Sequence, residues 1–367
     1  MAFVRPWYEA LESPDETQEK TLQTLLKHYR KTDYGKSHQI NDVGHIKDFQ
    51  MSFPKLSYSK LKPFLSQVKA GNYKAILSES PVCWVMTRGS TGISKVLPVT
   101  DTHLGQILYC GARALVNFIL RNNDVAMLEG KILNLNFPSV VAEMETDGKK
   151  IAYGYSSGTY ARLNPMLNEL TLIPRQEEID ALGSGITKTD WDRRFELVLQ
   201  KAEGKKVNAA MGVTPVISSF ARYVTRSRGK KPKELWNIKA LFCTSVRKIQ
   251  FKYAPRLKSY FGDIPIVEMY TATEGAFGQQ LDDLPYICPN YDTYLFEVET
   301  GRGTKMLHEL KRGEWGRLII SSCLFPRYDI GDMIEAMGKN YFRIFGRATP
   351  LTILEHRLHR LLFRWFI

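Results

Sequence analysis

Two stretches far apart in the chain hold residue types that can grip a nucleotide. The first is Thr87-Arg88-Gly89-Ser90-Thr91-Gly92-Ile93-Ser94-Lys95. Glycines let a backbone approach phosphate, and free N–H groups with Ser and Thr hydroxyls donate to its oxygens. Lys95 can add a positive charge. The spacing is not that of a Walker loop, because no lysine directly follows a glycine. Taken alone, the loop reads equally as a hairpin turn between two strands. The second stretch is Tyr270-Thr271-Ala272-Thr273-Glu274-Gly275. Its ring, hydroxyls and carboxylate suit a base, an α-phosphate and a magnesium ion. It follows the apolar run Ile264 to Met269, so Glu274 falls at or just past a strand end, where open α/β sheets place ligands. A carboxylate there can hold Mg²⁺ while the metal shares phosphate charge. A capping or salt-bridging glutamate is the plain alternative. Asp332, read as following a tight turn at Gly331, suits a pair of ribose hydroxyls or is a simple turn aspartate. Arg347 offers a fork-shaped donor to ribose or phosphate. If these groups face one cleft, the chemistry they support is ATP-driven activation of a carboxylic acid.

The elements that must position them show as periodicities. Val82 to Thr87 is short, apolar and partly β-branched, a buried strand, and Val96 to Thr100 is a second. Residues 103–121 read as a helix with Leu104, Ile107, Leu108, Ala112, Leu115 and Phe118 on one side. That helix and Met211-Gly212-Val213-Thr214 are candidate walls for an acid pocket, although apolar helix positions are more often core. Strand-like runs recur at Lys131 to Asn136, Ala240 to Cys243, Ile264 to Met269, Thr293 to Val298 and Arg317 to Ser321. Their alternation with helical patterns predicts an α/β protein with mixed sheets. Residues 1–80 are helical in pattern, with Leu22, Leu25, Leu26 and Tyr29 at helical spacing and a second helix from Tyr58 to Ala70 stopped by Gly71. At the other end Leu354, Leu358, Leu361 and Trp365 share one narrow helical arc beside Arg357, Arg360 and Arg364. The leading expectation is a helix packed on the body of the protein. A basic amphipathic helix on a membrane surface or a partner is the second.

Composition narrows the class. The chain has 367 residues, 44% hydrophobic and 24% charged, enough apolar material for a large core in two or three structural units. A formal charge of +13 favours anionic partners in general, but no nucleic-acid-reading motif is present. The five cysteines, Cys83, Cys110, Cys243, Cys288 and Cys323, have no metal-ligand spacing and fit a reducing cytoplasm. Cys83, Cys243 and Cys323 sit in or beside apolar runs, as core thiols do. Met1 to Trp7 lacks the apolar core of a signal peptide.

The order of the later motifs is more specific than any one of them. Leu235-Trp236 leads to Cys243-Thr244-Ser245, then Pro255-Arg256-Leu257, Tyr260, Gly262 and Pro265. Tyr270 to Gly275, Phe277-Gly278, Phe296-Glu297 and Arg327 to Asp332 follow. This succession resembles the adenylate-forming superfamily, and within it the Gretchen Hagen acyl-acid amido synthetases of the auxin-responsive promoter family. The resemblance runs from about residue 18 to residue 353. It implies the large domain of such an enzyme, with mixed sheets flanked by helices, a β-barrel-like subdomain, and ATP and Mg²⁺ as cofactors. Ser90 and Thr91 would hold the β- and γ-phosphates, and Thr273 the α-phosphate. Tyr270 would lie on the adenine, Glu274 would coordinate Mg²⁺, Asp332 would hold the ribose, and Arg347 would bind ribose or phosphate. Gly89, Gly92, Lys95, Thr244, Ser245, Thr271 and Ala272 complete the expected site. A small-molecule acid and an amine, or a thiol such as coenzyme A, would be the partners.

Departures from the family pattern are specific. Arg88 stands where a small hydroxyl residue is usual, Ser94 replaces a frequent proline or glycine, and Asp329 stands where arginine is common. Thr244-Ser245 lacks the usual glycine. The family continues past Ile353 into a swinging C-terminal domain, which this chain is expected to lack. The expected divisions are 1–80 (helical segment), 81–347 (nucleotide- and acid-binding core) and 348–367 (a basic amphipathic tail). The leading expectation is an acyl-adenylate-forming ligase that conjugates its acid to an amino acid. A coenzyme A ligase, or a nucleotide-binding protein impaired in catalysis, remains as an alternative.

Overall fold

Apolar runs that bury both faces build the centre of this chain. The computed structural model describes residues 1–88, 94–244, 246–247 and 249–362. Its central sheet has seven strands. In spatial order they are Cys288–Pro289, Gly275–Gln279, Ile266–Ala272, Ala240–Thr244, Val207–Val213, Lys131–Asn134 and Leu172–Ile173. The last five run parallel, and the first two add an antiparallel edge. Successive side chains alternate between faces. Ala209, Ala240 and Phe242 pack toward the helix Asp101–Asn122 through Ala114 and Phe118. Ala210, Leu241 and Cys243 pack with Phe195, Phe220 and Leu257, which lie on the helices Lys188–Ala202, Thr214–Arg228 and Ala254–Phe261.

Two further sheets flank this one. A four-stranded mixed sheet has the order Val96–Val99, Cys83–Met86, Lys149–Tyr155 and Ala142–Thr146. A five-stranded antiparallel sheet has the order Gly303–Met306, Leu295–Thr300, Trp315–Ser321, Tyr328–Gly338 and Tyr341–Arg347. It stands where the resemblance implies a barrel-like subdomain.

The N-terminal helices pack on this distant five-stranded sheet. Leu22, Leu25, Leu26, Phe49 and Phe53 share one apolar core with Leu295, Phe296, Leu318 and Ile334. Gln18 is wholly buried and donates to the carbonyls of Tyr291 and Tyr294, each at 2.8 Å. Its own oxygen accepts from the Phe296 N–H at 2.9 Å. Leu56 extends beside the strand Tyr328–Gly338, giving its N–H to Arg327 and its carbonyl to Asp329. The first segment of the chain is thereby fastened to the strand that carries Asp332.

Two expectations need correction. The terminal helix Pro350–Leu362 does pack on the body, but through Thr352 and His356, whose ring stacks on Phe345 at 3.9 Å. Of the arc expected to be buried, Leu354, Leu358 and Leu361 are 54%, 49% and 69% exposed, and Trp365 lies outside the described residues. Periodicity defines an arc but not its direction, and aromatic stacking decided it here. Asp332 does not follow a tight turn. It lies inside an 11-residue strand at a β-bulge, where Arg317 faces Met333 and Ile319 faces Asp329. Gly331 takes the left-handed backbone that such a bulge favours, with φ 82°. All five cysteines are unpaired, and all but Cys83 are buried.

Candidate active site

The strands on either side of the glycine loop pair with each other. Cys83–Met86 and Val96–Val99 pair antiparallel, closed by Thr87 N–H donating to the Lys95 carbonyl and Lys95 N–H donating to Thr87 Oγ1, both at 2.9 Å. Gly89, Ser90, Thr91 and Gly92, and likewise Ser245, lie outside the described residues. Lys95 leaves the hairpin pointing across to Glu274. Its Nζ lies 3.6 Å from Glu274 Oε1 and donates to the Tyr328 hydroxyl at 2.9 Å. That hydroxyl donates in turn to Glu274 Oε1 at 3.1 Å. Burial, together with the Glu274 charge, drives the Tyr328 phenol far above its usual range, so it remains a donor. Tyr328 lies within the run Arg327 to Asp332, and nothing in the sequence marks its role separately.

Glu274 sits on a tight connection. Ile266–Ala272 returns antiparallel as Gly275–Gln279, with Ala272 opposite Gly275, so Thr273 and Glu274 form the link. Both are buried. Thr273 Oγ1 is 3.2 Å from Ser156 Oγ, and its carbonyl accepts from Tyr160 at 2.9 Å. Thr244 Oγ1 and Thr271 Oγ1 are 2.6 Å apart, which ties the ends of two neighbouring strands together.

Asp332 and Arg347 are cross-strand partners, joined through Oδ1 and Nη1 at 2.8 Å. The Tyr270 hydroxyl donates to the other oxygen at 2.7 Å. The Tyr270 ring packs beside Phe277 and Phe342, so the strand Ile266–Ala272 of the central sheet helps set the position of Asp332 in the five-stranded sheet. Asp329 braces the bulge, accepting from Gly331 N–H at 2.9 Å and from Arg317 Nε at 2.8 Å. This unusual residue is therefore a structural fastening.

These groups line a cleft of about 700 Å³, with Lys95, Arg247, Lys252, Glu268, Thr271, Glu274, Asp332 and Arg347 among its walls. Glu268 has its carboxyl pushed up to about 7 by burial. A second cavity of about 330 Å³ adjoins it and is mainly apolar. Its walls include Ile107, Leu108 and Leu115 from the long helix, with Phe137, Tyr160 and Met211 opposite. The long helix and Met211, Gly212 and Val213 are thus cavity walls as well as core, while Thr214 is buried behind them. Arg88, Met269, Thr271, Ala272 and Thr273 line both spaces. Buried in the same helix is His103, its ring pushed down to about 4 by burial and so neutral near pH 7.

Three carboxylates line the cleft, Glu268, Glu274 and Asp332. Among the described residues no three His, Cys, Asp or Glu side chains are grouped to hold a metal. Glu274 Oε1 is engaged by Tyr328 and Lys95, and Oε2 makes no hydrogen bond among the described residues. One free carboxylate oxygen facing a phosphate-sized cleft fits Mg²⁺, which takes few protein ligands and completes its shell with phosphate and water.

Three sheets, with the cleft at the carboxyl ends of the central strands, define the fold of the adenylate-forming ligases. A solved acyl acid amido synthetase, GH3.15, superposes with a TM-score of 0.72 at 16% identity, over 93% of this chain and 70% of that one. A 2-hydroxyisobutyryl-CoA ligase in complex with 2-HIB-AMP and CoA gives 0.61 at 14% identity, over 91% and 74%.

More particularly, the GH3 family N-terminal domain matches residues 5–182 of the chain. Indole-3-acetic acid-amido synthetase GH3.3 of Arabidopsis thaliana is 22% identical over 398 aligned positions, covering 90% of this chain and 66% of that protein. GH3.2 of the same plant is 30% identical over 144 positions, 38% of this chain and 25% of that protein. The chain thus spans less than two thirds of the length of these two relatives. Among the described residues no helix is long and apolar enough to cross a membrane.

Proposed function

We propose that this chain binds ATP and activates a carboxylic acid as an acyl-adenylate, for transfer to the amine of an amino acid. The observation that carries the reading is the meeting of an apolar cavity with a charged cleft across Thr271 to Thr273. An acid with an apolar body fills the first space, and its carboxylate then points at a nucleotide in the second. Asp332 accepts from the ribose hydroxyls, with Arg347 beside it. Thr273 and Lys95 donate to phosphate oxygens, together with Ser90 and Thr91. Glu274 would hold Mg²⁺, which when bound supplies positive charge against the phosphates.

The acid's carboxylate oxygen attacks the α-phosphorus, and the bond from that phosphorus to the bridging oxygen breaks, releasing pyrophosphate. The amine then attacks the acyl carbon and AMP leaves with the bonding pair. The chain's contribution is positioning and charge compensation. The division into a helical segment at 1–80, a core at 81–347 and a terminal helix is part of the same reading.

Calorimetric titration with ATP and Mg²⁺, beside Asp332→Ala, tests it. Saturable binding by the wild type and its loss in the variant are expected, followed by acid-dependent pyrophosphate exchange. A folded wild type that binds no ATP defeats the proposal. The fold is shared with a CoA ligase, so the acceptor is tested by offering amino acids and coenzyme A side by side.

A further inference from the structure

Arg88 is the only charged side chain lining the apolar cavity among the described residues, and it also lines the charged cleft. Its guanidinium carbon lies 5.4 Å from the centre of the Phe137 ring. That ring is itself held by Tyr155 at 5.0 Å and Trp191 at 4.9 Å, so the cation rests on a fixed aromatic platform. Arg347 is paired with Asp332, Lys95 with Glu274 and Arg327 with Glu297. Two other cations of the charged cleft, Arg247 and Lys252, make no ion pair among the described residues, but Arg247 donates to the Phe345 carbonyl, Lys252 lies over the Tyr253 ring, and neither lines the apolar cavity. Arg88 makes no ion pair among the described residues. An ionised carboxylate entering an apolar space without a counter-charge loses several kcal/mol of hydration, so it needs a partner at the mouth.

We propose that Arg88 anchors the substrate carboxylate: it holds the ionised group of an apolar acid at the junction of the two cavities, aimed at the nucleotide. The assignment rests on the acid-activating reading above and adds to it a residue at a position where the resemblance leads one to expect a small hydroxyl. Arg88 would orient the attacking oxygen and offset its repulsion from the phosphates. A guanidinium can do this with two parallel hydrogen bonds. Apolar monocarboxylic acids are selected over neutral molecules of the same shape.

The test is equilibrium binding of benzoate, phenylacetate, indole-3-acetate and octanoate, each beside its primary amide, to wild type, Arg88→Lys and Arg88→Met. The wild type should prefer at least one acid over its amide by roughly 10- to 100-fold, the worth of a charged hydrogen bond. Arg88→Met should lose that preference with amide affinity unchanged, and Arg88→Lys should keep part of it. ATP affinity should stay within about twofold in Arg88→Met, since the anchor serves the acid. A preference that survives in Arg88→Met, or no preference in the wild type, overturns the proposal. So does a loss of ATP affinity with acid binding intact, which would make Arg88 a phosphate ligand. Acid preference without pyrophosphate exchange would instead sink the adenylation reading and leave the anchor standing.

Discussion

One strand and its flank carry two ion pairs of the same chemistry in opposite settings. Arg327, at the entrance of Tyr328–Gly338, pairs with Glu297, and both side chains are buried. The arginine also donates to the carbonyls of Gln50 and Phe53, each at 2.6 Å. Five residues along, Asp332 pairs with Arg347, but the arginine is 44% exposed and faces the cleft. In the first pair every group has found a protein partner, so it fastens the N-terminal helices to the sheet. In the second, the arginine's remaining donors face the cleft. Burial, more than residue type, separates a structural pair from a binding one.

Breaking the buried pair should have the largest effect. Arg327→Met leaves Glu297 charged with no cation and only the Gln50 amide donating to it, and should cost about 3–5 kcal/mol of unfolding free energy in denaturant titrations. Adding Glu297→Met should recover part of that loss. Asp332→Ala should cost less, about 1–3 kcal/mol, because Arg347 is solvated and the loss is mainly that of the acceptor for the buried Tyr270 hydroxyl. ATP affinity should nevertheless fall roughly 10- to 100-fold by calorimetry. Equal stability losses in the two variants would erase the contrast.

A pH series sharpens the comparison through Glu268, buried in the cleft without a cation partner among the described residues. Its carboxyl titrates near 7 when folded, against the ordinary 4.5. Between those values the folded state holds the extra proton, so stability falls as pH rises through the window. Glu268→Gln should therefore melt above wild type at pH 8, by about 2 °C or more. The gap should close toward pH 5. The smallest effect is expected at Asp329→Asn, which keeps the acceptor for Gly331 and gives up the pair with half-exposed Arg317. It should cost under about 1 kcal/mol and leave ATP binding unchanged.

The legible parts of this molecule were those whose local chemistry agreed with their surroundings. Val82 to Thr87 and Ala240 to Cys243 are apolar because the strands there are buried, and both runs became strands. The helix read over 103–121 is Asp101–Asn122. Gly275–Gln279 was missed because two glycines in five residues do not read as a strand, yet it forms the return that carries Glu274. The exposed hairpin Ala142–Thr146 and Lys149–Tyr155 was missed because its charged residues lack an apolar alternation. Gly331 was read as a turn because a bulge inside a strand uses the same residue for the same backbone reason. Arg113 was invisible for a different cause. It lies wholly buried in the long helix, paired with Asp292 and bonded to the Phe3 carbonyl, partners that no local pattern reveals.

The clasp between Gln18 and the backbone at Tyr291, Tyr294 and Phe296 spans up to 278 positions. During synthesis at about 5–20 residues per second, the first helices emerge on the order of tens of seconds before their sheet exists. Leu22, Leu25 and Leu26 must wait through that interval without the surface that later covers them. Nascent chains should therefore engage holding chaperones through this leucine-bearing helix, and release should follow emergence of the strand Tyr328–Gly338 from the ribosome.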